Sequence, residues 1–212
     1  MSTKNLTLSY LSLRRCIGLL AILHPAILYF GGLWIFGLGL QKSMSHYYYT
    51  PMRDVFVGID FAIGVFLLTY RGYGTIDRVT AAIAGCAAIV AALFPTGNEG
   101  SPDSVGQTIA AIHAGAALIF LAALAFFCLV LFVRTAPGQV PDAQKRARNV
   151  VYRLCGWNIV LVILVVLLYG AVPGFKQGVA NFPFIFSLEV FAFVSFGISW
   201  LVKGKALIPD EK

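Results

Sequence analysis

The sequence predicts an all-α, polytopic membrane bundle of about six transmembrane helices, and three observations carry that prediction. Hydrophobic residues make up 59% of the 212-residue chain and charged residues 12%, whereas a soluble domain carries about a quarter charged. Apolar stretches of roughly 20 residues, the length that crosses a bilayer, recur along the chain. Basic residues gather at alternate ends of those stretches, the pattern of a topology signal. A soluble domain could not cover so many long apolar runs with so few charges. Residues 1–212 therefore read as a single transmembrane domain.

The first span covers about 16–40. Arg14 and Arg15 ahead of it, and the small-x-small triplet Ser43-Met44-Ser45 behind it, have the outline of a signal peptide. The apolar region is much longer than the 7 to about 15 residues of such a segment, so it is kept as a span. The second span, about 51–70, opens on Thr50-Pro51, a capping hydroxyl before a proline suited to the first helical position. The third covers about 77–94. The fourth, about 102–133, opens on Ser101-Pro102 in the same manner, and Pro137-Gly138 and Pro141 mark the loop after it. The fifth covers about 151–172 and is stopped by Pro173-Gly174. The sixth covers about 182–202. Alanines 84, 88 and 92 recur at four-residue spacing, as do Ala81 with Gly85 and Ala110 with Ala114. Such small-residue stripes let backbones approach closely in lipid, which predicts the third and fourth helices at the centre of the bundle.

Alternating the six spans divides the loops into two sets. One set holds every Lys and Arg except Lys42, Arg53 and Lys176. The positive-inside rule makes that set cytoplasmic, with both termini inside a cell membrane. The formal charge of +7 is thereby read as topology rather than as a nucleic-acid footprint. Membrane lipids are the expected partners, nucleic acid is not, and a homo-oligomer is left open. Cys16, Cys86, Cys128 and Cys155 lie in or beside spans without metal-ligand spacing, and are read as packing residues without disulfides.

Ionisable side chains inside a bilayer cost about 2.5 to 3.5 kcal/mol on insertion scales, so each one is a functional hypothesis by default. Asp60, His113 and Glu189 fall at similar depth in the extracytoplasmic half of three different helices. His24 is nearer mid-membrane, followed by Pro25, which kinks a helix and frees a carbonyl to which the imidazole could donate. Above them lies the first outer loop, Ser43 to Asp54, dense in aromatic and hydrogen-bonding groups, and on the same side the loop Pro95-Thr96-Gly97-Asn98-Glu99. Together they predict an outward-opening polar pocket using Ser45, His46, Tyr48, Arg53, Asp54, Asp60, His113 and Glu189. Structural alternatives stand beside this. The tyrosines suit an interfacial belt, Asp54 suits a helix dipole and Arg53, and His113 suits an interhelical hydrogen bond.

The strings Ser43-x-Ser45-x-Tyr47-Tyr48-x-Thr50-x-x-Arg53-Asp54-x-Phe56-Val57-Gly58, Tyr70-Arg71-Gly72-Tyr73, Ala92-Leu93-Phe94-Pro95-Thr96, Arg148-Asn149-x-x-Tyr152-Arg153-x-Cys155-Gly156 and Phe196-Gly197-x-Ser199-Trp200-Leu201-Val202-Lys203-Gly204 resemble, in this order, small bacterial multi-pass membrane proteins catalogued only as domains of unknown function. That resemblance implies a bacterial cytoplasmic membrane and carries no activity. A superficial similarity also exists to the alkaline ceramidases and progestin/adiponectin receptors, zinc-dependent seven-helix hydrolases. Ser45, His46 and Asp54 or Asp60 match their early serine, histidine and aspartate. The chain departs from them in having no histidine after His113, where that family needs a late His-x-x-x-His pair. A catalytic zinc takes three protein ligands and an open position; here only His46, His113 and Glu189 could supply them.

No phosphate-binding glycine loop and no Gly-x-Ser-x-Gly elbow occurs. The expectation is a pocket for a lipid headgroup or small solute, without a resident cofactor. Arg53 would meet an anionic group and the tyrosines would pack around it. A membrane-embedded lipid hydrolase, using a metal such as zinc or a carboxylate-histidine pair, is the alternative. A proton-coupled transporter titrating Asp60 and Glu189 is the third reading.

Overall fold

In the computed structural model, residues 3–97, 104–135, 138–179 and 182–209 are described. They are helical, with no strand among them. The elements are α1 (Thr3–Phe36), a 3-10 turn (Ser45–Tyr49), α2 (Arg53–Thr69), α3 (Thr75–Leu93), α4 (Ser104–Phe126) running into a π-turn (Phe127–Leu131), α5 (Ala143–Ala171), the short α6 (Pro173–Gly178) and α7 (Phe184–Lys203). Five stretches are long and apolar enough to cross a membrane: Tyr10–Phe36, Thr75–Leu93, Ser104–Leu131, Ala143–Ala171 and Phe184–Lys203. Helix α2 is equally apolar in character but has 17 residues, about 26 Å at 1.5 Å per residue. The outward faces of the long helices carry large apolar side chains such as Leu23, Trp34, Ile83, Ile119, Leu161 and Phe191, all exposed. An apolar belt of that extent needs a nonaqueous surrounding. The chain is thus a multi-pass membrane protein.

Several helices outrun their apolar stretches. Helix α5 starts well before residue 151, because Asp142 caps it by accepting a hydrogen bond from the Lys145 amide at 2.5 Å. Its first two turns are polar and hold Lys145, Arg146 and Arg148. Helix α2 starts at Arg53 rather than at Pro51. Thr50 spends its hydroxyl on closing the preceding turn, donating to the Tyr47 carbonyl (2.8 Å) and accepting from the Met52 amide (3.1 Å). Pro173 does not merely stop α5; it opens α6 at its first position. The expected cap at Ser101-Pro102, and Asn98 and Glu99 of the third loop, lie outside the described residues.

The six long helices form a ring in the order α1, α2, α3, α4, α5, α7, with α7 closing it by packing against both α5 and α1. Helices α3 and α4 are therefore staves of the ring and not a central pair. The alanine stripe of α3 is buried, Ala81, Ala84, Ala88 and Ala92 among it, and it faces the flanking helices α2 and α4. Two closures depend on glycine. A Cβ on Gly85 would meet the Gly64 carbonyl oxygen at 2.6 Å, and one on Gly197 would meet the Gly18 carbonyl oxygen at 2.6 Å. The α2–α3 and α1–α7 crossings thus bring backbone onto backbone.

The ring has two distinct ends. At one, Arg14 donates to the Lys203 carbonyl, Arg15 to the Gly204 carbonyl, Lys145 to the Phe132 carbonyl and Arg148 to the Ile208 carbonyl. These bonds tie the ends of α1, α4, α5 and α7 together. The aromatic core beneath them is built on Trp200, which makes edge contacts with Tyr70, Phe127, Phe132 and Phe196. At the other end the first loop folds over the ring through the 3-10 turn. The four cysteines are free thiols.

Candidate functional site

Under the first loop, α1, α2 and α7 converge on His24. The imidazole is 0% exposed. It stacks on Phe56 of α2 (ring centroids 5.8 Å apart) and meets Phe193 of α7 edge-on (5.4 Å). Each of those helices presents an acid on the same face as its phenylalanine, one helical turn away: Phe56 with Asp60, and Phe193 with Glu189. The Asp60 Oδ1 lies 3.3 Å from His24 Nδ1, and Asp60 is within electrostatic reach of Glu189. Asp60 itself is 9% exposed. Neither ring nitrogen of His24 has a hydrogen-bond partner among the described residues. The imidazole therefore does not donate to a carbonyl freed by Pro25. It faces a carboxyl without the geometry of a hydrogen bond. A buried polar group left in that condition is costly, which marks it for a role beyond packing.

Glu189 connects this cluster to the loop above it. Its Oε2 accepts a hydrogen bond from the Met44 amide at 2.5 Å. One turn earlier on α7, the Phe186 amide donates to the Lys42 carbonyl at 3.0 Å. Met44 is then buried with Leu28, Tyr47, Met52, Phe56 and Phe186 in a second apolar core that seals the cluster from above. Ser45 and His46 serve the turn itself. Ser43 Oγ lies 3.0 Å from Ser45 Oγ and 2.6 Å from His46 Nδ1, and accepts from the His46 amide at 3.1 Å. Tyr49 donates to the Thr96 carbonyl at 2.5 Å, which joins the first loop to the loop after α3. Partial desolvation and the neighbouring Tyr48 hold the Tyr49 phenol above its ordinary pKa, so it remains a donor at neutral pH.

The other candidate residues lie elsewhere. Arg53 and Asp54 are exposed in the first turn of α2. Arg53 donates to the Tyr48 hydroxyl at 2.9 Å and lies 4.4 Å over its ring. Arg53 and Asp60 are seven residues apart, so they share a helix face, with Arg53 about 10 Å above. His113 Nδ1 sits between the Ala91 carbonyl (2.9 Å) and the Phe94 carbonyl (2.8 Å). Two carbonyls require Nδ1 to carry the proton, so His113 caps the end of α3 from α4. Among the described residues no three His, Cys, Asp or Glu side chains come together around a point that could hold a metal ion. His46, His113 and Glu189 instead take the separate partners given above.

Sequence reasoning weighed His24 as a helix-kink residue and missed that it is the hub. A partial signal existed: Phe56 with Asp60 and Phe193 with Glu189 repeat one aromatic-acid spacing on two helices. Asn158 bonds α5 to α7, its amide donating to the Phe191 carbonyl and to Ser195 Oγ. No protein-family model, no curated protein and no solved structure matches this chain.

Proposed function

We propose that the chain is a six-span protein of a bacterial cytoplasmic membrane, with both termini inside, that binds a small solute or lipid headgroup from the outer face. Helix α2 is the sixth span; it is a full stave of the ring and is extended by the turn at residues 51–52. The basic end of the ring is cytoplasmic by the positive-inside rule. The first loop then faces outward and covers the His24–Asp60–Glu189 cluster.

The single observation that carries the reading is the buried His24–Asp60 pair, whose imidazole has no hydrogen bond to either nitrogen among the described residues. Three ionisable groups under an apolar seal, two of them acids, suit a ligand with a protonatable or cationic group such as an amine. The amine would lie between Asp60 and Glu189, and His24 would take or return a proton. Arg53 and Tyr48, about 10 Å above on the α2 face, are available for an anionic group of the same ligand. Entry requires the first loop to lift, which breaks the bond between the Met44 amide and Glu189.

The test is native mass spectrometry of the protein extracted in mild detergent. A small adduct retained by the wild type and lost from Asp60→Asn and Glu189→Gln supports the reading. Identical bound mass in all three proteins overturns it. The same cluster favours a second reading, proton-coupled transport, because a histidine-carboxylate pair deep in a membrane can carry a proton between two arrangements. Uptake of the retained ligand into proteoliposomes that follows an imposed proton gradient would select that reading over simple binding.

A further inference from the structure

The first loop holds a hydroxyl and an imidazole in the relation of nucleophile to base. Ser43 Oγ lies 2.6 Å from His46 Nδ1, the reach at which an imidazole takes the proton of a hydroxyl and activates its oxygen. One turn of chain builds the pair. The His46 amide donates to the Ser43 carbonyl (3.2 Å) and to Ser43 Oγ (3.1 Å), which brings the imidazole back onto the same oxygen. That oxygen accepts from the amide, and its own proton is then available to Nδ1. The 3-10 turn that follows is closed by bonds of its own, from the Tyr47 amide to the Met44 carbonyl and from the Thr50 amide to the Tyr47 carbonyl, both 3.1 Å. The pair is therefore local to the loop and travels with it when the loop lifts.

Two further donors adjoin the nucleophile. Ser45 Oγ lies 3.0 Å from Ser43 Oγ. The Met44 amide follows the nucleophile directly in the chain, the position from which acyl-transfer elbows draw an oxyanion donor. In the closed loop that amide already donates to an acidic side chain, Glu189 Oε2 at 2.5 Å. Ser43 and Ser45 are buried as well, so the closed loop shields the pair. Trp34, 77% exposed near the end of α1, suits the headgroup level of a bilayer, and Ser43 follows it by nine residues.

We propose that Ser43 and His46 form a serine-histidine pair for acyl transfer, acting on a carboxylic ester presented at the membrane surface. Lifting the loop uncovers the pair and releases the Met44 amide from Glu189. Ser43 Oγ attacks the ester carbonyl carbon as its proton passes to His46 Nδ1. The Met44 amide and the Ser45 hydroxyl hold the oxyanion that forms. The bond to the leaving alcohol breaks, and that alcohol takes the proton from His46. Water then adds to the acyl carbon, giving a proton to His46. The bond to Ser43 Oγ breaks, the proton returns to Ser43, and a carboxylic acid leaves. Neither His24 nor Asp60 takes part, so this inference and the binding reading can fail separately.

The test is labelling of the full chain in mild detergent with an alkyl fluorophosphonate, which bonds to an activated serine oxygen and expels fluoride. Intact mass and peptide mapping read the product. The adduct is expected on Ser43, absent from Ser43→Ala, and formed about a hundredfold more slowly in His46→Gln and His46→Asn. Two replacements of the histidine guard against one that fails to fold. Glu189→Ala, which opens the loop, should label about 30-fold faster than wild type. Ser187→Ala, which removes a hydroxyl bonded to the Pro183 carbonyl at 3.0 Å, should label as the wild type does. Dioctanoyl phosphatidylcholine should slow the labelling and be cleaved to octanoate. If a soluble acetate ester is cleaved in preference, the pair stands and its substrate comes from water. No adduct on Ser43 in either the wild type or Glu189→Ala, with both proteins shown to be folded by their melting, overturns the proposal. So does an adduct on Ser43 that forms as fast in both histidine variants as in the wild type.

Discussion

Replacing Glu189 by alanine should open the first loop without unfolding the ring. The Met44 amide donates to Glu189 Oε2 at 2.5 Å and belongs to a residue 2% exposed. Alanine leaves that amide unpaired in a dry position, a cost of about 1 to 3 kcal/mol. The neighbouring bond from the Phe186 amide to the Lys42 carbonyl does not involve the side chain, so the loop keeps one anchor. The loss is therefore local. At about 1.4 kcal/mol per tenfold, a cost near 2 kcal/mol raises the loop-opening constant about 30-fold. Hydrogen exchange followed by mass spectrometry reads this as faster deuteration of peptides covering residues 42–50. Peptides from α5 should be unchanged. Glu189→Gln keeps a carbonyl acceptor for Met44, so its loop should exchange within about threefold of wild type. Wild-type protection in the alanine variant would refute the reasoning. Equal loss in the glutamine variant would show instead that charge, and not the bond to Met44, holds the loop.

The remaining predictions concern the frame around the site. Gly197→Ala places a Cβ 2.6 Å from the Gly18 carbonyl oxygen and 2.4 Å from Ile22, and should cost about 1 to 3 kcal/mol by overpacking. Gly170→Ala, with open space around it, should melt as the wild type does. His113→Ala withdraws the donor from the Ala91 and Phe94 carbonyls and should lower stability by about 1 to 2 kcal/mol, read from the detergent melting midpoint, with ligand retention at His24 unaffected. Asp142→Ala removes the cap of α5 and should cost about 1 kcal/mol, visible as faster amide exchange confined to the first turn after Ala143.

The helices were legible because span length and apolar content are local properties. Their polar extensions were not. Helix α5 begins at Ala143 through a side-chain cap, and the cationic turns that follow leave no trace in a search for apolar stretches. Asp60 and Glu189 were legible as candidate residues on cost alone, since a carboxylate has no apolar use in a bilayer. The same reasoning picked out His113, yet its ring is occupied by the carbonyls that end α3, a need set by how α4 lies against α3. His24 was weighed locally, next to Pro25, whereas its neighbours arrive from α2 and from α7 across the seam that closes the ring. Sequence spacing gives the face of each helix but not which faces meet. Arg14 and Lys203 were likewise read as topology signals, because rings that cover them, Tyr70 over Arg14 and Tyr73 and Phe132 over Lys203, arrive from other segments.

The most direct test of the central claim is ligand retention by the double variant His24→Phe with Asp60→Leu. Replacing a buried ionisable pair by apolar side chains of similar size is often neutral or stabilising by about 1 to 4 kcal/mol, and Phe56 and Phe193 already provide aromatic contacts for a phenyl ring at residue 24. The variant should melt at or above the wild-type temperature and yet carry no small adduct in native mass spectrometry. A double variant that melts as predicted and still retains the wild-type adduct at the same stoichiometry would show that the His24–Asp60 pair is not the binding site.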